Sequence, residues 1–295
     1  MPKKRNSLSI IIVTFNSIDH IKQCLRSLAK AASAFSTQLL LIDNNSSDLT
    51  VSWFETHKKQ LHHWFDDVII IVNKTNTGYT RGINQGLEIC NGDYILLLNP
   101  DIIVANGIFE KLFICFNLHP DVGIVAPQLR YPGGQIQSSC RRFPRKRDLF
   151  FDVTGLSRLF SKSAVLNRWK MPDFDHRRNR FVEQPQGAFL LADAGVVETV
   201  GLLDERFTMF FSDVDWCKRV IQNRFKIFFC AGAGAIHHKG ASVNRRKAEM
   251  IVSSHRSFMD YMRKHNSHPR AALWLLHLML LLITLPRVTV ENLKL

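Results

Sequence analysis

LSIIIVTF at residues 8–15 and QLLLID at 38–43 decide the fold. Each is a short, unbroken apolar run rich in Ile, Leu and Val. That pattern belongs to a strand covered on both faces in a parallel sheet, not to one with a wet side. Between the runs, Ile18, Ile21, Leu25 and Leu28 recur at helical spacing, and NNSSD (44–48) supplies turn and cap residues after the second. Outward from this pair the chain reads as a helix near 50–65, a strand DVIIIV (67–72), a helix at about 80–90 and a strand DYILLLN (93–99). A helix over 106–118 and a strand GIVAP (123–127) follow. Strands and helices alternating at this rhythm predict an α/β fold, a mostly parallel, mixed sheet flanked by helices.

The alternation stops near residue 130. Tyr131-Pro132-Gly133-Gly134 reads as a turn, and the segment after it mixes cations with aromatics at no clear period. Order returns from 183 with QGAFLLAD (186–193), a short helix, DERF (204–207), a helix over 213–224 and a strand KIFFCA (226–231). A glycine turn and His237-His238 come next, then a basic amphipathic helix over about 246–265 and an apolar tail. The chain therefore divides into a main domain over 1–243, carrying a basic insert at 141–182, and a helical, membrane-associating C-terminal part over 244–295.

Of the 295 residues, 39 are Lys or Arg and 25 are Asp or Glu, a net charge of +14. Residues 141–180 hold 12 basic and 4 acidic side chains, so forty residues carry +8 of it. A local excess of this kind points to an anionic partner. Arg141, Arg142, Arg145, Lys146 and Arg147 interleave with Phe143, Leu149, Phe150 and Phe151, which suits anionic lipid headgroups. The plainer reading is a solvated cover over one side of the sheet. No nucleic-acid motif accompanies the charge, so no nucleic-acid partner is expected. The six cysteines form no CxxC pair and lie mostly in apolar runs, which fits buried free thiols in a reducing compartment. MPKKRNS leads straight into the first strand without a signal-peptide core. The longest apolar stretch, 271–285, is broken by His277 and falls short of the ~20 residues a bilayer span needs. The expected location is the cytoplasmic face of the membrane, as a peripheral protein.

In open α/β sheets ligands bind at the carboxyl ends of the strands. There the sequence places Thr14, Phe15 and Asn16, then Asp43, Asn44 and Asn45, then Asn99, Pro100 and Asp101. Asp43 and Asp101 at that rim can accept hydrogen bonds from a nucleoside or hold a divalent metal, although Asp43 also suits a helix cap and Asp101 a proline turn. NTGYTRGINQG (76–86) is a glycine-rich approach to a helix that lacks the P-loop ending and the dinucleotide-binding spacing. Its amides and Arg81 suit a diphosphate. Asp213 and Asp215 open a helix beside Phe210, Phe211 and Trp216. Both suit the helix dipole, and an acid beside aromatic side chains also suits a general base. In a pocket with Asp101, His237 or His238 would complete a hard-metal site.

The ordered series IIIVTFN, LLIDNNSSD, NTGYTRGINQG, GDYILLLNPD, GAFLLAD, GLLDERF, FFSDVDWCKR and AIHHKGAS resembles the family-2 inverting glycosyltransferases, and among them the bacterial rhamnosyltransferase-like branch. The resemblance covers about residues 8–243. It implies a GT-A-type fold and a nucleotide-diphosphate sugar donor. It also implies that Thr14, Asn16 and Asp43 receive the nucleoside, with Phe15 and Asn45 in the same turns. Asn76, Gly78, Arg81 and Asn84 would line the donor pocket with Asn99, and Gly187 would border the sugar. Asp101 matches the second acid of a metal-binding DxD, His237 or His238 a metal-binding histidine, and Asp213 the catalytic base. Three positions depart from the pattern. Asn99 replaces the first metal acid, Ser212 replaces an acid before the base and leaves Asp215 as a rival, and Ala188 replaces a glycine.

The expected activity is inverting transfer of a deoxyhexose such as rhamnose to a lipid-linked oligosaccharide or surface-polysaccharide precursor, with Mg²⁺ or Mn²⁺. Another UDP- or GDP-linked sugar on the same scaffold, or a non-catalytic membrane- or nucleic-acid-binding homologue, is the alternative.

Overall fold

The computed structural model describes residues 7–238 and 247–265. Its first half runs β1 (Ser7–Thr14), α1 (Ile18–Ala32), β2 (Ser36–Asp43), α2 (Thr50–Thr56), α3 (Lys58–Trp64), β3 (Asp67–Val72), α4 (Tyr79–Leu87), β4 (Tyr94–Leu98), β5 (Ile102–Val104), α5 (Ile108–Leu118) and β6 (Val122–Arg130). The second half runs β7 (Cys140–Arg141), α6 (Lys146–Val153), α7 (Leu156–Leu159), β8 (Arg180–Phe181), β9 (Gln184–Pro185), β10 (Phe189–Asp193), α8 (Ala194–Val200), α9 (Ser212–Gln222), β11 (Lys226–His237) and α10 (Lys247–His265).

The main sheet is ordered β3-β2-β1-β4-β10-β6-β11-β5, with β8 on the side of β11. The first four strands are parallel, and β6 pairs in parallel with β11. β10 runs antiparallel between β4 and β6, and β5 antiparallel to β11. The reversal at β10 has a functional consequence: its amino end lies at the same sheet edge as the carboxyl ends of β1, β2 and β4. This mixed α/β architecture, a curled central sheet flanked by helices, fits the GT-A fold.

Side chains alternate across a strand, and β1 divides the core accordingly. Leu8, Ile10 and Ile12 face one layer with Ile21, Leu25 and Leu28 of α1 and the phenylalanines of α5. Ile11 and Val13 face the other with Ile83 and Leu87 of α4 and Trp216, Cys217 and Val220 of α9. Each such Leu or Ile, withdrawn from water, contributes roughly 1.5–3 kcal/mol. A third cluster joins Phe207, Phe211 and Val214 to Phe258, Met259, Tyr261 and Met262 of α10. All six cysteines are free thiols, five of them buried.

Several local expectations are corrected. The single helix at 50–65 is two, α2 and α3, which meet at His57. Strand KIFFCA does not end in a turn: β11 continues to His237 through a register shift between Cys230 and Gly234. The stretch AGAGA offers no side-chain pattern, so only pairing with β6 and β5 reveals it as strand. The three-residue β5 is a strand only because β11 reaches it. The apolar tail and Arg245, Arg246 and Arg270 lie outside the described residues. Among the described residues no helix is long and apolar enough to cross a membrane.

Candidate active site

At the carboxyl ends of β1 and β2 the polar side chains bind mainly to one another. The fully buried Asp43 carboxylate accepts hydrogen bonds from Thr14 Oγ1 at 2.8 Å and from the Ser46 amide and hydroxyl at 2.8 and 2.6 Å. Ser46 Oγ in turn takes the Asn16 amide at 2.8 Å, and Asn16 Oδ1 accepts from the Ser47 amide at 2.8 Å. Asn16 and Asn45 sit at φ 50° and 62°, the left-handed region that asparagine tolerates better than most residues. Thr14 and Asp43 thus shape this rim from behind. Exposed surface is left to Asn45, and partly to Phe15 and Asn16.

The glycine-rich approach to α4 is also held internally. Asn76 Oδ1 accepts the Gly78 amide, and Gly78 O accepts from Asn44 Nδ2, both at 3.0 Å. Gly78 has φ +87°, and a Cβ there would come within 2.9 Å of Thr208 O, so glycine is required twice over. Arg81 pairs with Glu205 at 2.8 Å on the surface. Asn84 makes a two-way hydrogen bond with the backbone of Leu203, at 2.9 and 3.0 Å, and the Thr80 hydroxyl donates to Phe207 O. These side chains, read in sequence as neighbours of a diphosphate, clasp the 203–208 loop against α4.

A second group forms where β4 ends and β11 arrives. Asp101 Oδ1 is buried without a hydrogen-bond partner among the described residues, 3.5 Å from His237 Nε2. Gln137 determines the histidine tautomer. Its amide nitrogen donates to His237 O at 2.8 Å, so its Oε1 must accept the proton of His237 Nδ1 at 3.0 Å. Nε2 then faces Asp101. A carboxylate oxygen and an imidazole nitrogen are both ligands that a divalent metal accepts. His238 takes a different place: its amide donates to Asp101 O at 3.1 Å and its ring lies against His20. No cluster of three or more potential ligand residues exists among the described residues.

The third group surrounds Asp213. Its Oδ2 accepts the Gly187 amide at 2.8 Å and its Oδ1 the Val214 amide at 2.9 Å, and Gln184 Nε2 lies 3.5 Å from Oδ2. A Cβ on Gly187 would meet Asp213 at 2.9 Å, so only glycine allows this approach. Burial pushes the Asp213 carboxyl above the usual carboxylate range, and the two amides offset only part of the shift. The side chain faces a cavity of about 370 Å³ bordered by Tyr79, Asn99, Gln184, Gly187, Trp169 and Phe210 among others. Asn99 links this group to the Asp101–His237 pair, since its amide donates to Ala188 O at 2.9 Å. At the rim, Asn44, next to Asp43, donates to Gly78 O, one residue before Tyr79.

Asp215, two residues on, is fully buried on the other side of α9. Burial alone would raise its carboxyl, but hydrogen bonds from His265, Lys264 and Arg219 outweigh it and hold the pKa below the usual range. The distances are 2.6, 2.7 and 2.9 Å. A carboxylate saturated in this way is an anchor for α10, not a base. Phe211, which starts α9 at φ 69°, is held in that unfavourable conformation by Phe258 and Tyr261, with ring centroids 5.6 and 5.5 Å away.

Sequence reasoning missed Gln137, Gln184, Tyr79 OH and the contribution of α10. Tyr79 OH donates to Gly187 O at 3.3 Å. Gln137 lies in an irregular stretch and Gln184 in the two-residue β9, too short to show periodicity, and nothing short of the folded contacts singles them out.

The sequence profile of the family described as Glycosyl transferase family 2 matches residues 9–170. An N-acetylglucosaminyl-diphospho-decaprenol L-rhamnosyltransferase of Mycobacterium tuberculosis is 25% identical over 275 residues, 88% of this chain and 85% of that protein. The low-salt glycan biosynthesis hexosyltransferase Agl10 of Haloferax volcanii is 24% identical over 87% of this chain and 73% of its own length. Among solved structures, the mannosyltransferase PcManGT from Pyrobaculum calidifontis, in complex with GDP-Man and Mn²⁺, superposes with a TM-score of 0.59 at 13% identity, over 98% of this chain and 74% of that one. GalNAc-T7 with UDP, GalNAc and Mn²⁺ superposes with a TM-score of 0.61 at 14% identity, over 80% of this chain and 44% of that one. At these identities the likeness is one of fold.

Proposed function

The chain belongs to glycosyl transferase family 2, and on that premise we propose that it transfers a deoxyhexose, rhamnose in the first instance, with inversion from a nucleoside-diphosphate donor to a lipid-linked glycan. The observation that carries the reading is Asp213, a partly exposed carboxylate of raised pKa at the wall of a cavity beside Gly187. In the proposed reaction an acceptor hydroxyl gives its proton to Asp213 as its oxygen bonds to the anomeric carbon. The bond from that carbon to the diphosphate oxygen breaks, and the nucleoside diphosphate leaves with the electron pair. Attack opposite the leaving group inverts the centre, as in inverting hydrolases with an alcohol in place of water. Gly187 and Val214 N–H hold the carboxylate in one orientation, Tyr79 braces Gly187, and the aromatic walls limit access of water.

Asp101 and His237 would hold a Mg²⁺ or Mn²⁺ ion, which would supply charge neutralisation at the departing diphosphate. The Asp101 oxygen, without a hydrogen-bond partner among the described residues and 3.5 Å from His237 Nε2, supports this ligand pair. Asn99 in place of an acid leaves the pair with one carboxylate. Rhamnose as the sugar and a diphosphate-linked lipid as the acceptor rest on the mycobacterial relative. The hexosyltransferase relative keeps other sugars as the second reading.

The proposed membrane contact rests on a surface where exposed Phe150, Leu159, Phe160 and Val165 stand among exposed Arg145, Arg147, Arg158 and Lys162. Apolar groups ringed by cations favour an anionic lipid interface. Salt-sensitive flotation with phosphatidylglycerol vesicles, lost in Leu159→Glu/Phe160→Glu, is the expected result. Equal recovery with neutral vesicles would remove this contact. The activity itself is tested by screening dTDP-, UDP- and GDP-sugars for turnover with and without Mn²⁺, with Asp213→Asn as the control. Turnover by that variant at the wild-type rate would overturn the assignment of the base.

A further inference from the structure

The cavity at Asp213 carries polar groups that the reaction above does not use. Ser212 Oγ and Trp169 Nε1 are both buried at its border and have no hydrogen-bond partner among the described residues. Ser212 is only 1% exposed. A buried donor left unpaired costs about 1–3 kcal/mol, and with Ser139 Oγ, which lines the same cavity in the same state, three such groups point to a ligand that pairs with them. Arg141 borders the same cavity. Its guanidinium donates to the carbonyls of Ser138 and Cys140 at 2.7 and 2.8 Å, and no acid among the described residues forms an ion pair with it. The neighbouring Arg142, by contrast, has Asp173 at 2.7 Å. Burial lowers the Arg141 pKa, the mark of a cation held away from water without a counter-charge.

The strand pairing places these groups against the base. Arg141 lies opposite Gln184 in the β7–β9 pair, and the Gln184 amide reaches toward Asp213. An indole, a hydroxyl and an uncompensated guanidinium beside a base together describe a ligand with a sugar face, hydroxyl groups and an adjoining anion.

Resting on the transferase reading, we propose that Arg141, Trp169 and Ser212 form the acceptor subsite, and that they select a glycoside whose receiving sugar is linked directly to a phosphate or diphosphate. Trp169 and Ser212 meet the sugar ring and its hydroxyls, and Arg141 meets the phosphate.

The test uses the full chain with UDP or dTDP and Mn²⁺ bound, titrated with octyl-diphosphate-linked N-acetylglucosamine, glucose and galactose and with the neutral octyl glycosides of the same three sugars. At least one diphosphate form is expected to bind tenfold or more tightly than its neutral counterpart. Arg141→Met removes that preference and leaves nucleotide affinity unchanged, Arg141→Lys restores part of it, and Trp169→Ala weakens charged and neutral forms alike. Thermal melting of each variant confirms that it is folded. Equal binding of charged and neutral forms overturns the proposal, as does a preference that survives Arg141→Met. Loss of nucleotide affinity in Arg141→Met overturns it as well, because the phosphate being read would then be the donor's. If no acceptor form binds while a nucleotide sugar is still bound or turned over, the subsite fails and the transferase reading stands. If no nucleotide sugar binds either, both fail.

Discussion

Asp213 and Asp215 share the first turn of one helix and end in opposite states. The cavity face buries Asp213 with two backbone amides and, among the described residues, no ion pair, so its carboxyl titrates high. The α10 face gives Asp215 an arginine, a lysine and a histidine, so its carboxyl titrates low. Two residues of spacing on a helix turn a side chain to a different flank, and the flank decides whether an acid titrates high or low. The two faces depend on each other, because the cluster at Asp215 seats α10, and α10 packs on Phe211 at the start of the turn that aims Asp213.

The sharpest test of this contrast is to neutralise each acid in turn. Asp213→Asn is expected to lower kcat/KM by ~10²–10⁴ while changing unfolding free energy by no more than ~1 kcal/mol. Comparing steady-state rates with urea denaturation separates the two effects. Asp215→Ala should do the reverse. It leaves Arg219 without its buried counter-charge and Lys264 with Asp204 alone, and costs about 3 kcal/mol of stability, read from the same urea curves, with nucleotide binding intact in the folded fraction. If Asp215→Ala proved neutral, its role as an anchor would be lost.

Titration sharpens the same comparison. The folded-state pKa of Asp213 is raised, so its basic form, and with it kcat/KM, is lost as pH falls through a value above the ordinary carboxylate pKa of ~4. The folded-state pKa of Asp215 is depressed. Its stabilising contribution is present above the unfolded value and disappears only as pH falls through the lower, folded one. Activity should therefore fail at a higher pH than the fold, which parallel rate and circular dichroism profiles would reveal. Coincident transitions would erase the distinction.

Smaller effects belong to the bracing residues. Tyr79→Phe removes the hydrogen bond to Gly187 O and should lower kcat by up to about tenfold with donor KM little changed. Arg81→Gln breaks an exposed pair with Glu205 and should shift stability by less than ~0.5 kcal/mol. A large loss of donor affinity in that variant would mean that Arg81 leaves Glu205 to meet the diphosphate.

Much of this was legible before any coordinates. The apolar runs at 8–15 and 38–43 announced a buried parallel sheet, and strand-end residues marked its rim. Asp213 stood out through its aromatic neighbours. Roles at the rim were less legible, because Asp43, Asn84 and Arg81 are polar residues whose function depends on which partner is nearer. In the folded chain the nearest partners are Ser46, Leu203 and Glu205. The different places of His237 and His238 were equally hidden, since they depend on the residue where β11 ends and on Gln137, 100 positions away in sequence.

Local pattern determined the sheet, its two apolar faces and the identity of the acids. Hydrophobic burial follows periodicity, and periodicity is written in short windows of sequence. Contact across long separations decided the electrostatic state of Asp213 and Asp215, with Gly187 admitting the one and Lys264 and His265 of α10 pairing with the other. The pKa of a carboxylate is set by what lies within a few ångströms of it, and for these two residues those neighbours are brought there only by the tertiary fold.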